Sequence, residues 1–465
     1  MTSGRVRRLL LSYATSGLSK SVAAAVQIIA LPVVASSLGA ERFGALMVLG
    51  AIGAVFCIPA RGIPPTLSIG IAHHRGTGDE CGIGSQIRGA AVVSISLGIV
   101  ALAVATGLLA WFGLPRLVGM SSVSDTQDLA GVSAALFLLI VATYGFAWVE
   151  GVRTGYEQNH INNLFSLLGS VLALLGIALS WAFAPTLTGF FLAIYVTYPV
   201  VQLINLLLAR RSVSNGGHAV TLRTIKSIAR RSFSWSIAQA GIALNLQGTV
   251  WLAAHTAGLA TGGLVGAVAR LFQVISSLSL ALLTPVLPTL RHSMASGDHS
   301  WSNRAVRITV TVAGVSLILF GAIVAIFGNA LVKAWLGLDF GAGSIVFGGL
   351  GLLAMANIIP QVYYLVLMAL GSARAASINL FLGGLCGIAI GALAMKPLGL
   401  AGLIWGQAIG MLFVACIPNT ILVFKRMRTE GASAAKSPDN SPGDKISMSE
   451  PHGKRAASSP RREAP

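Results

Sequence analysis

The sequence predicts an all-α polytopic membrane protein of about 12 transmembrane helices, in two six-helix bundles around a central cavity. Three observations carry this. Hydrophobic residues make up 55% of the 465 and charged residues only 10%, with a mean hydropathy of +0.79, whereas a soluble domain carries about a quarter charged residues. Roughly a dozen windows reach the ~20 apolar residues that a spanning helix needs. The basic residues also alternate in density from one connection to the next, as the loops of a multi-pass protein do.

In chain order the apolar segments fall near 9–38, 43–71, 88–113, 129–150, 161–184 and 187–209, then 233–256, 262–290, 306–328, 343–370, 377–395 and 399–424. The first continues well past the length of a signal sequence, so it is expected to remain as a span. With the N-terminus inside, 25 of the 32 Lys and Arg residues lie on inner segments, and only Arg42, Arg116, Lys333 and Lys396 on outer ones. That bias predicts that both termini face the cytoplasm and that the number of spans is even. It also accounts for most of the formal charge of +18, so nucleic acid is not an expected partner.

The longest inner connection, 210–232, is a basic linker between an N-terminal bundle, 1–209, and a C-terminal bundle, 233–424. The tail, 425–465, has no aromatic residue and many serines and prolines, and is expected to be disordered. Cys57, Cys81, Cys386 and Cys416 are scattered, which supports neither a disulfide framework nor a metal site. No cofactor is implied, and no nucleophile–base set marks the chain as an enzyme. Trp111, Trp148, Trp181 and Trp335 near span ends read as interface anchors.

Three cations remain inside apolar segments: Lys20, Arg61 and Arg270. A charge in the hydrocarbon region usually faces water or a partner. Glu150, at a span edge, is the single carboxylate near any of them, so an anionic visitor is expected. Helical phase agrees. Ser12, Ser16, Ser19, Lys20 and Gln27 fall within about 100° of one face of the first span, and Arg270, Gln273, Ser277 and Thr284 within about 60° on the eighth. Gly50, Ala54 and Cys57 form a small-residue stripe leading to Arg61. The seventh span is ambiguous, because Ser234, Asn245 and Thr249 share one face while Ser236, Gln239 and Gln247 share another. Either Asn245 or Gln239 can line the cavity.

Three stretches add a resemblance: Leu31–Gly44 (LPVVASSLGAERFG), Gly155–Leu168 (GYEQNHINNLFSLL) and Thr284–Asp298 (TPVLPTLRHSMASGD). In order and spacing they resemble the polysaccharide-flippase branch of the multidrug/oligosaccharidyl-lipid/polysaccharide exporter superfamily, over about residues 1–425. The resemblance implies a flippase that moves a polyprenyl-diphosphate-linked oligosaccharide to the outer leaflet for O-antigen, capsule or exopolysaccharide synthesis. Its implied partners are that lipid-linked glycan, the bilayer, and the glycosyltransferases and polymerase of the same route. Related peptidoglycan-precursor flippases carry essential cations on their first, second and eighth helices, which are the helices of Lys20, Arg61 and Arg270 here. The expected substrate-binding set is thus Lys20, Arg61 and Arg270, with Gln27, Gln239, Asn245 and Gln273 as hydrogen-bonding partners. The alternative is a cation-coupled multidrug exporter of the same superfamily, which requires a titratable carboxylate in the cavity. The first span lacks one, leaving Glu150.

Overall fold

The computed structural model describes residues 3–120, 126–213, 220–283, 299–337, 343–369 and 373–435. These residues are almost entirely helical, with no strand among them. The N-terminal lobe comprises α1 (Ser3–Phe56), α2 (Ile63–Thr77), α3 (Glu80–Phe112), α4 (Leu114–Val118), α5 (Thr126–Phe146), α6 (Val149–Gly155), α7 (Asn159–Phe183), α8 (Leu187–Phe191) and α9 (Thr197–Val213). The C-terminal lobe comprises α10 (Leu222–Ala257), α11 (Leu259–Leu283), α12 (His299–Leu336), α13 (Ser344–Ala369), α14 (Ala373–Met411) and α15 (Ile417–Ala435). Eight helical stretches among the described residues are long and apolar enough to cross a membrane.

Two of those stretches are double-length, and glycine explains both. Leu11–Phe56 has 46 residues and Ala373–Arg426 has 54. The first breaks at Gly39 (φ 74°, ψ 170°) and the second at Gly399 (φ 59°, ψ −144°), conformations that glycine adopts without a Cβ clash. Each break separates two of the expected spans. The sixth and twelfth spans share another device. Leu192–Val196 and Leu412–Cys416 are single π-helical turns, in which Thr197 N–H bonds the Leu192 carbonyl and Ile417 N–H the Leu412 carbonyl. Pro199 and Pro418 follow closely. Proline lacks an N–H and crowds the carbonyl four residues back, and a widened turn relieves that conflict. The device thus recurs at the matching position of each lobe.

The second span ends in a 3-10 turn, Pro59–Gly62, that carries Arg61 before α2 begins at Ile63. The expected segment 43–71 is therefore one span plus the start of a separate helix, divided where Pro59, Pro64 and Pro65 withhold N–H donors. Among the close approaches of the lobes are those at Gly44 and Gly62. A Cβ on Gly44 would stand 1.9 Å from the Leu259 carbonyl oxygen, and a Cβ on Gly62 2.1 Å from that of Ser232. Ser236 Oγ donates to the Pro59 carbonyl at 3.0 Å.

Two details differ from the sequence-based expectations. Helix α15 runs to Ala435, so the first part of the expected disordered tail is helical, while 436–465 lies outside the described residues. Trp148 is no interface anchor. It is buried, and its Nε1 donates to the Gly145 carbonyl at 2.8 Å, because α5 and α6 turn it into the apolar cluster with Ile63, Leu67 and Val152. The motif Thr284–Asp298 lies outside the described residues.

Candidate functional site: two cavities that share Arg61

Two cavities flank the 3-10 turn of the second span. The first, about 640 Å³, lies in the N-terminal lobe between Gln27, Gly50, Ala54, Cys57, Arg61, Leu139, Thr143, Glu150, Ile194, Tyr195 and Tyr198. The second, about 180 Å³, lies in the C-terminal lobe and is lined by Arg61, Gln239, Ile242, Leu246, Phe272, Gln273, Asn357 and Gln361 among others. Arg61 faces both. Its side chain is exposed, and it has no salt bridge among the described residues, although its charge acts on the Glu150 carboxylate. Ala54 and Cys57 border the first cavity, and Gly50 admits the Tyr195 ring that forms one of its walls.

Glu150 belongs to this site more fully than the sequence indicated. It is not left at a span edge. Tyr198 Oη donates to its Oε1, and Gln202 Nε2 donates to the same oxygen at 3.1 Å. Behind it a buried chain continues. Asn205 Nδ2 donates to Gln202 Oε1 at 2.9 Å, and Arg153 Nε donates to Asn205 Oδ1 at 3.1 Å. Arg153 Nη1 reaches Gln158 Oε1 at 2.9 Å. Buried polar groups require such partners, and here the partners tie the carboxylate to α6, α7 and α9.

The expected residues divide into groups. Gln27 lines the first cavity, and its buried Oε1 has no hydrogen-bond partner. Gln239 and Gln273 line the second. Asn245 does not, which resolves the seventh-span ambiguity in favour of Gln239. Asn245 is fully buried one layer behind, where Asn357 Nδ2 donates to its Oδ1 at 3.2 Å. The close approach of α10 to α14 brings this face of α10 inward, and Thr249 Oγ1 likewise donates to Gln407 Oε1. Lys20 is half-buried on α1 and lines neither cavity. Arg270 is engaged already. Its Nη2 donates to Tyr195 Oη, and its guanidinium sits 4.9 Å from the Tyr195 ring centroid. That contact crosses from one lobe to the other. The side chain of Ser277 and all of Thr284 lie outside what is described.

Of the three cations, Arg61 lines both cavities, opposite a carboxylate in the first. Arg270 borders a smaller cavity of about 100 Å³ with Gln27 and Ile194, and Lys20 lines none of them. Sequence reasoning missed Tyr195, Tyr198, Gln202, Asn357 and Gln361. A signal existed for them. Tyr195, Tyr198, Gln202 and Asn205 recur at helical spacing along an otherwise apolar span, and Asn357 and Gln361 do so around Pro360.

The geometry defines a polytopic helical membrane protein with a polar, charged cavity system between two lobes. No family model matches the sequence, and no curated protein matches it. Among solved structures the fold is similar to that of an inward-facing multidrug resistance MATE family transporter of the MOP superfamily, with TM-score 0.70 and 14% identity over 91% of this chain and 100% of that one. The outward-facing conformation of such a transporter gives TM-score 0.63 and 15% identity over 92% and 96%. A MOP superfamily transporter from Pyrococcus furiosus Vc1 (DSM3638), described as having a binding pocket of reverse polarity that suggests a different function, gives 0.66 and 14% over 93% and 96%. The chain shares their fold across nearly its whole length.

Proposed function

We propose that this chain is a membrane transporter that exposes the Arg61–Glu150 cavity alternately to the two sides, and that it is a cation-coupled exporter. The carrying observation is the Glu150 carboxylate lining a cavity of about 640 Å³. A carboxylate held by two donors, with one exposed guanidinium nearby, is a two-state element. Binding a proton or a metal cation changes its charge, and the charge of the cavity changes with it. The apolar and aromatic walls at Leu139, Ile194, Tyr195 and Tyr198 suit an amphipathic organic substrate. Similarity of fold to multidrug resistance transporters supports this reading. The test is transport of a fluorescent organic cation in proteoliposomes under an imposed proton or sodium gradient. Glu150→Gln is expected to lose gradient-driven transport by more than about tenfold, with binding retained. Gradient-driven transport equal to wild type in that variant would overturn the coupling role.

Arg61 favours a second reading, the lipid-linked glycan flippase. An unpaired guanidinium at the junction of both cavities, beside Gln239 and Gln273, suits a diphosphate bidentately. An inside-negative potential would drive such a dianion outward with roughly 4–5 kcal/mol per 100 mV. Similarity to the reverse-polarity structure is compatible with it. The two readings separate in one comparison: Arg61→Ala abolishes polyprenyl-diphosphate translocation in the flippase, whereas Glu150→Gln is the damaging change in the exporter.

A further inference from the structure

A third cavity, the largest described at about 730 Å³, lies outside the central site. It is a wedge between α10 and α14. The two helices cross tightly at Gly241 and Gly384, where a Cβ on Gly241 would stand 2.1 Å from the Leu380 carbonyl oxygen. Below the crossing the wedge is walled by Ile237, Phe233 and Ile378, and further toward the start of α10 by Arg231, Arg230, Lys226 and Arg223, with Arg374 on α14. Arg223, Lys226, Arg230, Phe233 and Ile237 recur every three or four positions along α10, with Arg231 beside them, so they form one broad face. Gln239 lies about 200° away from Ile237 on the same helix, which puts the central cavity and the wedge on opposite sides of α10.

We propose that this wedge binds an anionic phospholipid of the inner leaflet, its phosphate among the five cations and its acyl chains along the apolar end. The positive-inside rule requires cations at this end of the molecule, but not their convergence on one cavity. All five are exposed, and none has a salt bridge or hydrogen bond among the described residues. Gathered like charges repel unless an anion joins them. The apolar wall is equally unpartnered: Phe233 is 67% exposed and Ile378 42%. The order along the wedge, apolar deep and cationic at the end, is the order of tail and headgroup in a lipid.

The test uses the full chain purified in neutral detergent and in phosphatidylcholine nanodiscs. Phosphatidylglycerol is titrated in, with native mass spectrometry and thermal unfolding as readouts. Wild type is expected to retain phosphatidylglycerol over phosphatidylcholine and to gain several degrees in Tm. The triple change Arg230→Ala, Arg231→Ala, Arg374→Ala is expected to weaken retention about tenfold or more and to lose the shift. Arg374→Gln alone, at an exposed position, gives a partial loss if the triple variant folds poorly. Arg304→Ala with Arg307→Ala, outside the wedge, leaves both readouts unchanged. Equal retention of the two lipids by wild type, or wild-type retention by both wedge variants, overturns the proposal. An equal Tm shift from inorganic phosphate alone makes this a site for soluble anions and overturns the lipid assignment.

Discussion

Arg270 shows how a residue that reads as a substrate ligand also makes a structural contact. Its helical phase with Gln273 points it toward the interior, and the structure agrees on the direction. What phase cannot supply is Tyr195, from a span 75 residues away, whose hydroxyl end lies over Gly50. A Cβ on Gly50 would stand 1.9 Å from the Tyr195 hydroxyl, so only glycine admits the tyrosine in this position. Tyr195→Phe removes the hydrogen bond and keeps the ring over the guanidinium. It is expected to lower stability by about 1 kcal/mol, the scale of an interhelical hydrogen bond in a membrane. Tyr195→Leu, which also removes the cation–π contact, is expected to cost more. Unfolding in graded denaturing detergent measures both, and equal stability of all three proteins would show that the contact holds nothing.

Among the elements, α10 has faces with three separate roles. One face presents Gln239 to the central cavity, a second packs Asn245 and Thr249 against α13 and α14, and the cationic face opens to the wedge. Its position depends on backbone-to-backbone approach at Gly241. Gly241→Val should force α10 from α14 at a cost of about 1–3 kcal/mol, read as a fall in Tm. Gly17→Ala and Gly314→Ala meet nothing within 4 Å, and should be neutral or stabilising by up to about 1 kcal/mol. The two classes of glycine look identical in the sequence. Contact with another helix separates them.

For the whole molecule, the paired glycine breaks and the paired π-helical turns give the two lobes a common design. The expected transmembrane arrangement follows from an even number of crossings. Fluorescent-protein fusions after Val213 and after Ala435 should be fluorescent, and alkaline phosphatase fusions there inactive. The reverse should hold for fusions at Gly119 and Gly258. A reversed pattern at either lobe would refute the charge-derived orientation.

Class and span positions were legible from composition alone, because the bilayer demands long apolar helices whatever their neighbours are. Charge placement set the expected sidedness for the same reason: it depends on loops one at a time. The cavity lining was legible only in part. Arg61 and Gln273 line the cavities, and Gln239 is one of two alternatives that periodicity left open, because periodicity describes one helix about its own axis. Whether Asn245 faces a partner, whether Arg270 is already satisfied, and whether Glu150 enters the cavity depend on the packing of α9, α10, α13 and α14 against one another. Those contacts join residues far apart in the chain, and only the tertiary structure decided them.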